Sequence, residues 1–242
     1  MAVLPRTPAK GGRSLLLNGV RGESRRWGRV MYRIFLLASA AVGAAALSLG
    51  SAEAQTPFDW TGFYAGVHGG GLSGDVTINE GLLLDPGGAV SGPVWGVLAG
   101  YNFPSSPLAG SVWGIEADIG KASVNGVGGG GGCDASFDYL YDLNWDAHFR
   151  ARIGFPMGNA MPFIAGGLAL ADLNITEGCS IISEGGLFTG GTLGAGLDVK
   201  ITPTAFVRGE VLYDFYGRKQ YDDFSADFSA WTYRAALVFR LP

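Results

Sequence analysis

Between Asn144 and Phe155 the chain alternates without a break. Trp145, Ala147, Phe149, Ala151, Ile153 and Phe155 hold one parity, and Asn144, Asp146, His148, Arg150, Arg152 and Gly154 hold the other. A helix would scatter these side chains around its axis, whereas a strand sends them to opposite faces of a sheet. The same split recurs at 113–120, where Trp113, Ile115, Ala117 and Ile119 oppose Glu116 and Asp118. It returns at 193–201 (Leu193, Leu197 and Ile201 against Asp198 and Lys200) and at 207–215 (Val207, Val211, Tyr213 and Phe215 against Arg208, Glu210 and Asp214). In the last stretch, 233–241, Tyr233, Ala235, Leu237, Phe239 and Leu241 face away from Arg234 and Arg240. Segments 62–71, 94–103 and 162–171 are richer in Gly and Ala but carry no charge and are bounded by turn residues. The pattern predicts an all-β chain of eight strands, each of about nine to twelve residues, the length that crosses a bilayer at a tilt.

The polar faces balance. Glu116, Asp118, Asp146, Asp198, Glu210 and Asp214 stand against Arg150, Arg152, Lys200, Arg208, Arg234 and Arg240. Such charges can pair inside a narrow lumen, where unpaired ones would be costly. The links at 104–110, 156–161 and 202–205 read as short, and those near 72–93, 122–142, 172–190 and 217–230 read as long. Short turns at one end and long loops at the other predict an antiparallel up-and-down transmembrane β-barrel with the long loops outward. A soluble lipocalin-like barrel would put the charges in water. Against it, Trp95, Tyr101, Phe103, Trp113, Trp145, Phe155, Tyr213, Phe215 and Tyr233 mark strand ends as aromatic girdles do. Only 16% of residues are charged, and 41 of 242 are Gly, against about 25% charged and 7% Gly in a soluble globule. The Gly spacing is not collagenous, and the acidic total disfavours nucleic acid.

Charge also divides the chain. Through Ala54 eight basic residues face only Glu23 and Glu53, while the remainder nets −10. Met31–Arg33 forms a short basic start, Ile34–Leu49 an apolar run, and Ala52-Glu53-Ala54 a small-x-small cleavage site. The expected organisation is 1–30 as an upstream mis-start or extended basic region, 31–54 as a cleaved signal peptide, and 55–242 as the barrel. A retained transmembrane helix is the alternative for 34–52, disfavoured by its weakly hydrophobic Ala, Gly and Ser content.

Several segments are familiar in order and spacing. Asp59-Trp60-Thr61-Gly62-Phe63-Tyr64-Ala65-Gly66 resembles the first strand of the small outer-membrane barrels of alphaproteobacteria, the RopB type, which are OmpA-like eight-stranded barrels. Gly114–Asp118, Arg150–Gly154, Pro162–Ala169 and Val207–Tyr213 resemble its third, fourth, fifth and seventh strands. The resemblance covers about 57–242. It implies a Gram-negative outer-membrane location, contact with membrane lipid and lipopolysaccharide, and handling by periplasmic chaperones and the barrel-assembly machinery. That machinery reads a C-terminal signal, which the resemblance places on Tyr233, Leu237, Phe239 and Leu241; the family usually ends on Phe, whereas this chain ends Phe239-Arg240-Leu241-Pro242. A monomer without a cofactor is expected.

Little in the chain suggests chemistry. His148 lies on the charged face without a Ser or Cys on the same strand face, so hydrogen bonding in the lumen is its expected role. Small barrels that edit lipid A pair a His with a Ser at the membrane surface, and neither His68 nor His148 has such a companion in the sequence. Gly69–Gly74 fits G-x-G-x-x-G but precedes no helix that could cradle a phosphate. Cys133 and Cys179 fall in adjacent outward links under the barrel topology, and a disulfide is expected in the oxidising envelope. It would stabilise by roughly 4 kcal/mol in the chain-entropy model; a zinc site, with two Cys and no nearby His, is the weaker reading. The run Tyr221–Asp227 could attract divalent cations, though a solvated loop accounts for it. Eight strands leave an interior filled by side chains, which favours a structural or surface-interaction protein over a porin-like channel or a lipid A-modifying enzyme.

Overall fold

The computed structural model describes residues 58–79, 88–104, 108–129, 138–177, 183–220 and 225–242. The proposed signal segment and both cysteines lie outside them. Nine strands run β1 (Gly62–Asn79), β2 (Gly88–Asn102), β3 (Val112–Gly129), β4 (Asp138–Gly154), β5 (Ala160–Glu177), β6 (Ser183–Thr202), β7 (Ala205–Tyr216), β8 (Lys219–Gln220) and β9 (Ser225–Arg240). Every pairing is antiparallel; β1 to β7 pair in order, β7 pairs β9, and β9 returns to β1. The result is a closed barrel of eight strands, with β8 a two-residue addition against the start of β9. Among the described residues, closure gives every strand of the eight-strand wall a neighbour on both sides, as a sheet in lipid requires.

The outer surface carries bands. Val67, Val97, Ile119, Phe149, Leu168, Leu193 and Leu237 project outward around the middle. Toward the short-turn rim stand Phe63, Tyr101, Phe103, Trp113, Phe155 and Phe239, with Phe63 and Tyr101 rings 4.5 Å apart. Toward the other rim stand Trp95, Trp145, Tyr213 and Trp231, the last two 4.7 Å apart. These rows bracket an apolar belt, as girdles bracket the hydrocarbon zone. In the upper row Lys121 lies in register between Trp95 and Trp145, at headgroup level, where a cation can stay hydrated.

Apart from the two-residue β8, the strands run from 12 residues in β7 to 20 in β6, and all of these but β7 exceed the expected nine to twelve. Much of 72–93, 122–142, 172–190 and 217–230, expected as loop, is therefore ladder. The physical reason is an inversion of polarity along each wall. In β1, Phe63 and Val67 point to lipid and Tyr64 and His68 inward; higher up, Leu72 and Val76 point inward and Ser73 and Asp75 outward. Once the wall leaves the bilayer, water lies outside and an apolar core can form within. Alternation persists, but the parity that is apolar changes, so a pattern tracked on one parity stops early. In β4 a bulge performs the shift. Leu143 pairs Leu173 and Trp145 pairs Asp172, leaving Asn144 as an extra residue whose amide donates to Asp172 Oδ2 at 3.1 Å. Tyr141 and Leu143 thereby turn inward beside Val124.

Glycine makes the tight curvature possible. A Cβ on Gly70 would collide with the Tyr233 carbonyl oxygen and come within 2.7 Å of Arg234 Cα, on the seam where β9 closes onto β1. Gly70→Ala is expected to destabilise the barrel by about 1–3 kcal/mol and to slow closure. The check is the yield of compact, heat-modifiable protein after folding into detergent, which should fall relative to wild type. At the turn between β4 and β5, Gly158 takes φ +63, a left-handed conformation that L side chains rarely adopt.

Candidate functional site: the ionic lumen

Inward positions of β3, β4, β6, β7 and β9 bring charges of opposite sign to the barrel axis. Arg150 on β4 donates through Nη1 to Glu210 Oε1 at 2.7 Å, and through Nη2 to Glu116 Oε1 at 2.6 Å and Asp118 Oδ2 at 3.1 Å. Arg234 on β9 donates through Nε to Glu210 at 2.8 Å and forks onto both oxygens of Asp118 at 2.8 and 3.0 Å. Arg208 on β7 grips Asp198 at 2.7 and 3.1 Å and Glu116 at 2.6 Å. Arg152 reaches Asp198 Oδ2 at 2.7 Å. Tyr64 on β1 donates its hydroxyl to Glu116 Oε2 at 2.8 Å. The four arginines are 3% exposed or less, so each is held by carboxylates and not by water. Forked guanidinium–carboxylate geometry is what offsets the desolvation of such charges.

Two aromatic contacts underlie this network. The Arg152 and Arg208 guanidiniums lie 4.1 and 4.7 Å from the Phe163 ring centroid. Below them Phe58, Trp60, Tyr64, Leu98, Met161, Phe206 and Val238 form a buried cluster near the short-turn rim. Above the network a second cluster includes Leu72, Val76, Val90, Val94, Tyr141, Leu143, Leu173, Phe188, Tyr216 and Phe228, with Tyr216 and Phe228 stacked at 5.0 Å. Among the described residues the lumen thus stacks three storeys, aromatic, ionic and apolar.

Not every charge on the polar parity joins the network. Lys200 stands near the lower rim with Nζ 5.5 Å from the Phe58 ring. Arg240 pairs with Asp59 at 3.1 Å. Asp59 lies before β1, and the Thr61 hydroxyl and amide, donating to it at 2.7 and 3.0 Å, hold its carboxyl below the usual range. His148 is enclosed by Asp118 (Nδ1, 2.8 Å) and Asp214 (Nε2, 3.2 Å), so both ring nitrogens face carboxylates and not a nucleophile. Among the described residues, buried Asp146 Oδ1 and Asp214 Oδ2 have no hydrogen-bond donor, and Asp214 Oδ1 has only the poorly directed His148 Nε2. Sequence reasoning missed Tyr64 and His68 as lumen groups, although both lie on the inward parity of β1. Their signal was weak because the positions between and beyond them on that parity, Gly66 and Gly70, carry no side chain. Leu237 and Phe239 on β9 and Leu241 just after it are exposed on the outer side, and the Leu241 amide donates to Phe63 O at 2.9 Å.

A closed antiparallel barrel with an apolar belt outside and salt bridges inside is a transmembrane β-barrel of the outer-membrane type. The chain belongs to the outer membrane protein beta-barrel domain family, whose model matches residues 42–239. It is similar to the 25 kDa outer-membrane immunogenic protein of Brucella abortus biovar 1 (strain 9-941), with 29% identity over 177 residues, 70% of this chain and 72% of the relative. It is also similar to a 22 kDa outer membrane protein of Rhizobium leguminosarum bv. viciae, 29% identical over 170 residues, 70% of this chain and 71% of that one. Among solved structures it is similar to OprG of Pseudomonas aeruginosa, with TM-score 0.46 and 14% identity over 74% of this chain and 95% of that chain.

Proposed function

We propose that this chain is a structural and surface-interaction protein of the outer membrane that neither conducts nor catalyses. The observation that carries the reading is the three-storey lumen: the Arg150–Glu210 and Arg234–Asp118 pairs span the axis, and apolar clusters close it on both sides. A protein so filled contributes to the envelope through its walls and its outward end. In this reading the upper rim, where the strands extend past the Trp95 and Trp145 row, faces the cell exterior, with Lys121 near lipopolysaccharide phosphates. Tyr233, Leu237, Phe239 and Leu241 serve as the assembly signal, and Cys133 and Cys179 pair in the outward links. His148 acts as a tie between Asp118 and Asp214 and not as a base.

The expected result of planar-bilayer recording with purified, folded protein is a membrane at baseline, without stable unitary steps. Large, persistent conductance would overturn the reading. Sensitivity of a deletion strain to detergents, restored by the wild-type chain, tests the envelope role separately.

A further inference from the structure

Between the salt-bridge storey and the apolar storey lies a layer whose polar atoms lack partners. Among the described residues, His68 on β1 leaves both ring nitrogens unpaired, Asp146 on β4 leaves Oδ1, and Asp214 on β7 leaves Oδ2, its Oδ1 facing only His148 Nε2 at 3.2 Å in a poorly directed contact. Thr192 on β6 and Thr232 on β9 leave their hydroxyls unpaired. His68 is 6% exposed and the other four 2% or less. Groups so buried are ordinarily paired to protein, water or an ion.

The charge count points to which. Arg150, Arg152, Arg208 and Arg234 face Glu116, Asp118, Asp198 and Glu210 in the network below, and those charges cancel. Asp146 and Asp214 remain. Even with His148 counted as an imidazolium against Asp118 and Asp214, one negative charge has no counter-charge. Register brings these groups together: Thr192 pairs with Asp214 across β6 and β7, and Asp146 Oδ1 and His68 Cε1 both close on Gly120, 2.9 and 3.4 Å from where its Cβ would lie. Because Gly120 has no side chain, both groups can approach the same point of the wall.

We propose that this layer binds one small monovalent cation, Na+ or K+. Its ligands are the Asp146 and Asp214 carboxylates, the Thr192 and Thr232 hydroxyls and retained water, with His68 accepting a hydrogen bond from that water. A hard cation takes oxygen ligands, and a single positive charge matches the single residual negative one. Among the described residues no three His, Cys, Asp or Glu side chains group to hold a metal ion, so in this proposal two carboxylates are completed by hydroxyls and water. Phe188, Tyr216 and Phe228 roof the layer, so a bound ion stays out of contact with bulk water and stabilises the folded barrel by linkage.

The test uses the folded barrel in detergent, with urea unfolding followed in KCl or NaCl against choline chloride at constant ionic strength. The expected result is a shift in the folding equilibrium that grows with cation concentration, about a hundredfold at a hundred times Kd. Asp146→Asn, which keeps shape and removes charge, is expected to fold and to lose the dependence. Thr192→Val, which leaves the charges intact, is expected to move it to higher concentration. Thallium soaked into crystals should give an anomalous peak in this layer. Equal unfolding in all three salts overturns the proposal. So does an undiminished cation effect in Asp146→Asn, which would place the ion elsewhere, or a shift driven by pH alone, which would assign the compensating charge to a proton.

Discussion

Arg150→Ala is expected to destabilise the folded barrel by about 3–5 kcal/mol, the cost of leaving buried charges without their partner. Arg150 is fully enclosed and supplies donors to Glu116, Asp118 and Glu210. Glu116 keeps Arg208 and Tyr64 in the variant, and Asp118 and Glu210 keep Arg234, but each loses a charged donor in a site water does not reach. Arg150→Lys should recover only part of the loss, because an ammonium is a point charge without the guanidinium's rigid fork. Asp75→Asn, on the exposed outer wall above the girdle, is the control and should stay within about 0.5 kcal/mol. Urea unfolding of the three variants in the same lipid or detergent measures this order. Equal stability of Arg150→Ala and Asp75→Asn would show that the network does not support the fold.

Leu168→Arg is expected to cost about 2–4 kcal/mol, whereas Ser123→Arg should cost about 0–1. Both side chains point outward, and both are exposed in the isolated protein. They differ in height. Leu168 stands in register with Phe149, and that row continues to Ala117, Ala99 and Ala65, midway between the aromatic bands. Ser123 follows Lys121 on β3, beyond the row that holds Trp95 and Trp145. A charge at the first site must be drawn into hydrocarbon, and at the second it meets headgroups or water. Reversible unfolding from lipid vesicles separates the two, and similar costs at both sites would refute the placement of the apolar belt.

The parity of the charged faces was legible because a strand's period of two does not depend on what lies around it. Glu116, Asp118, Arg150, Arg152, Arg208, Glu210 and Arg234 could be assigned to one side of the wall from spacing alone. Strand ends were less legible, since Leu72, Val76 and Tyr141 are inward apolar residues in a region where the outward parity had carried the signal. The bulge at Asn144 left no mark that distinguishes it from an ordinary polar position, because its role depends on the register against Asp172 and Leu173. His68, Asp146 and Asp214 show the same limit: their residue types are visible, but their lack of partners is a property of the assembled lumen.

By itself the sequence determined an all-β wall with apolar and charged faces, the charged parity carrying six acids and six bases. Only the tertiary structure decided who pairs with whom. Arg150 meets Glu210 from β7, and Arg234 meets Asp118 from β3, across strands that are not neighbours in the wall. Closure of β9 onto β1 sets those distances, and a barrel narrow enough for opposite walls to touch turns a list of charges into pairs across the axis.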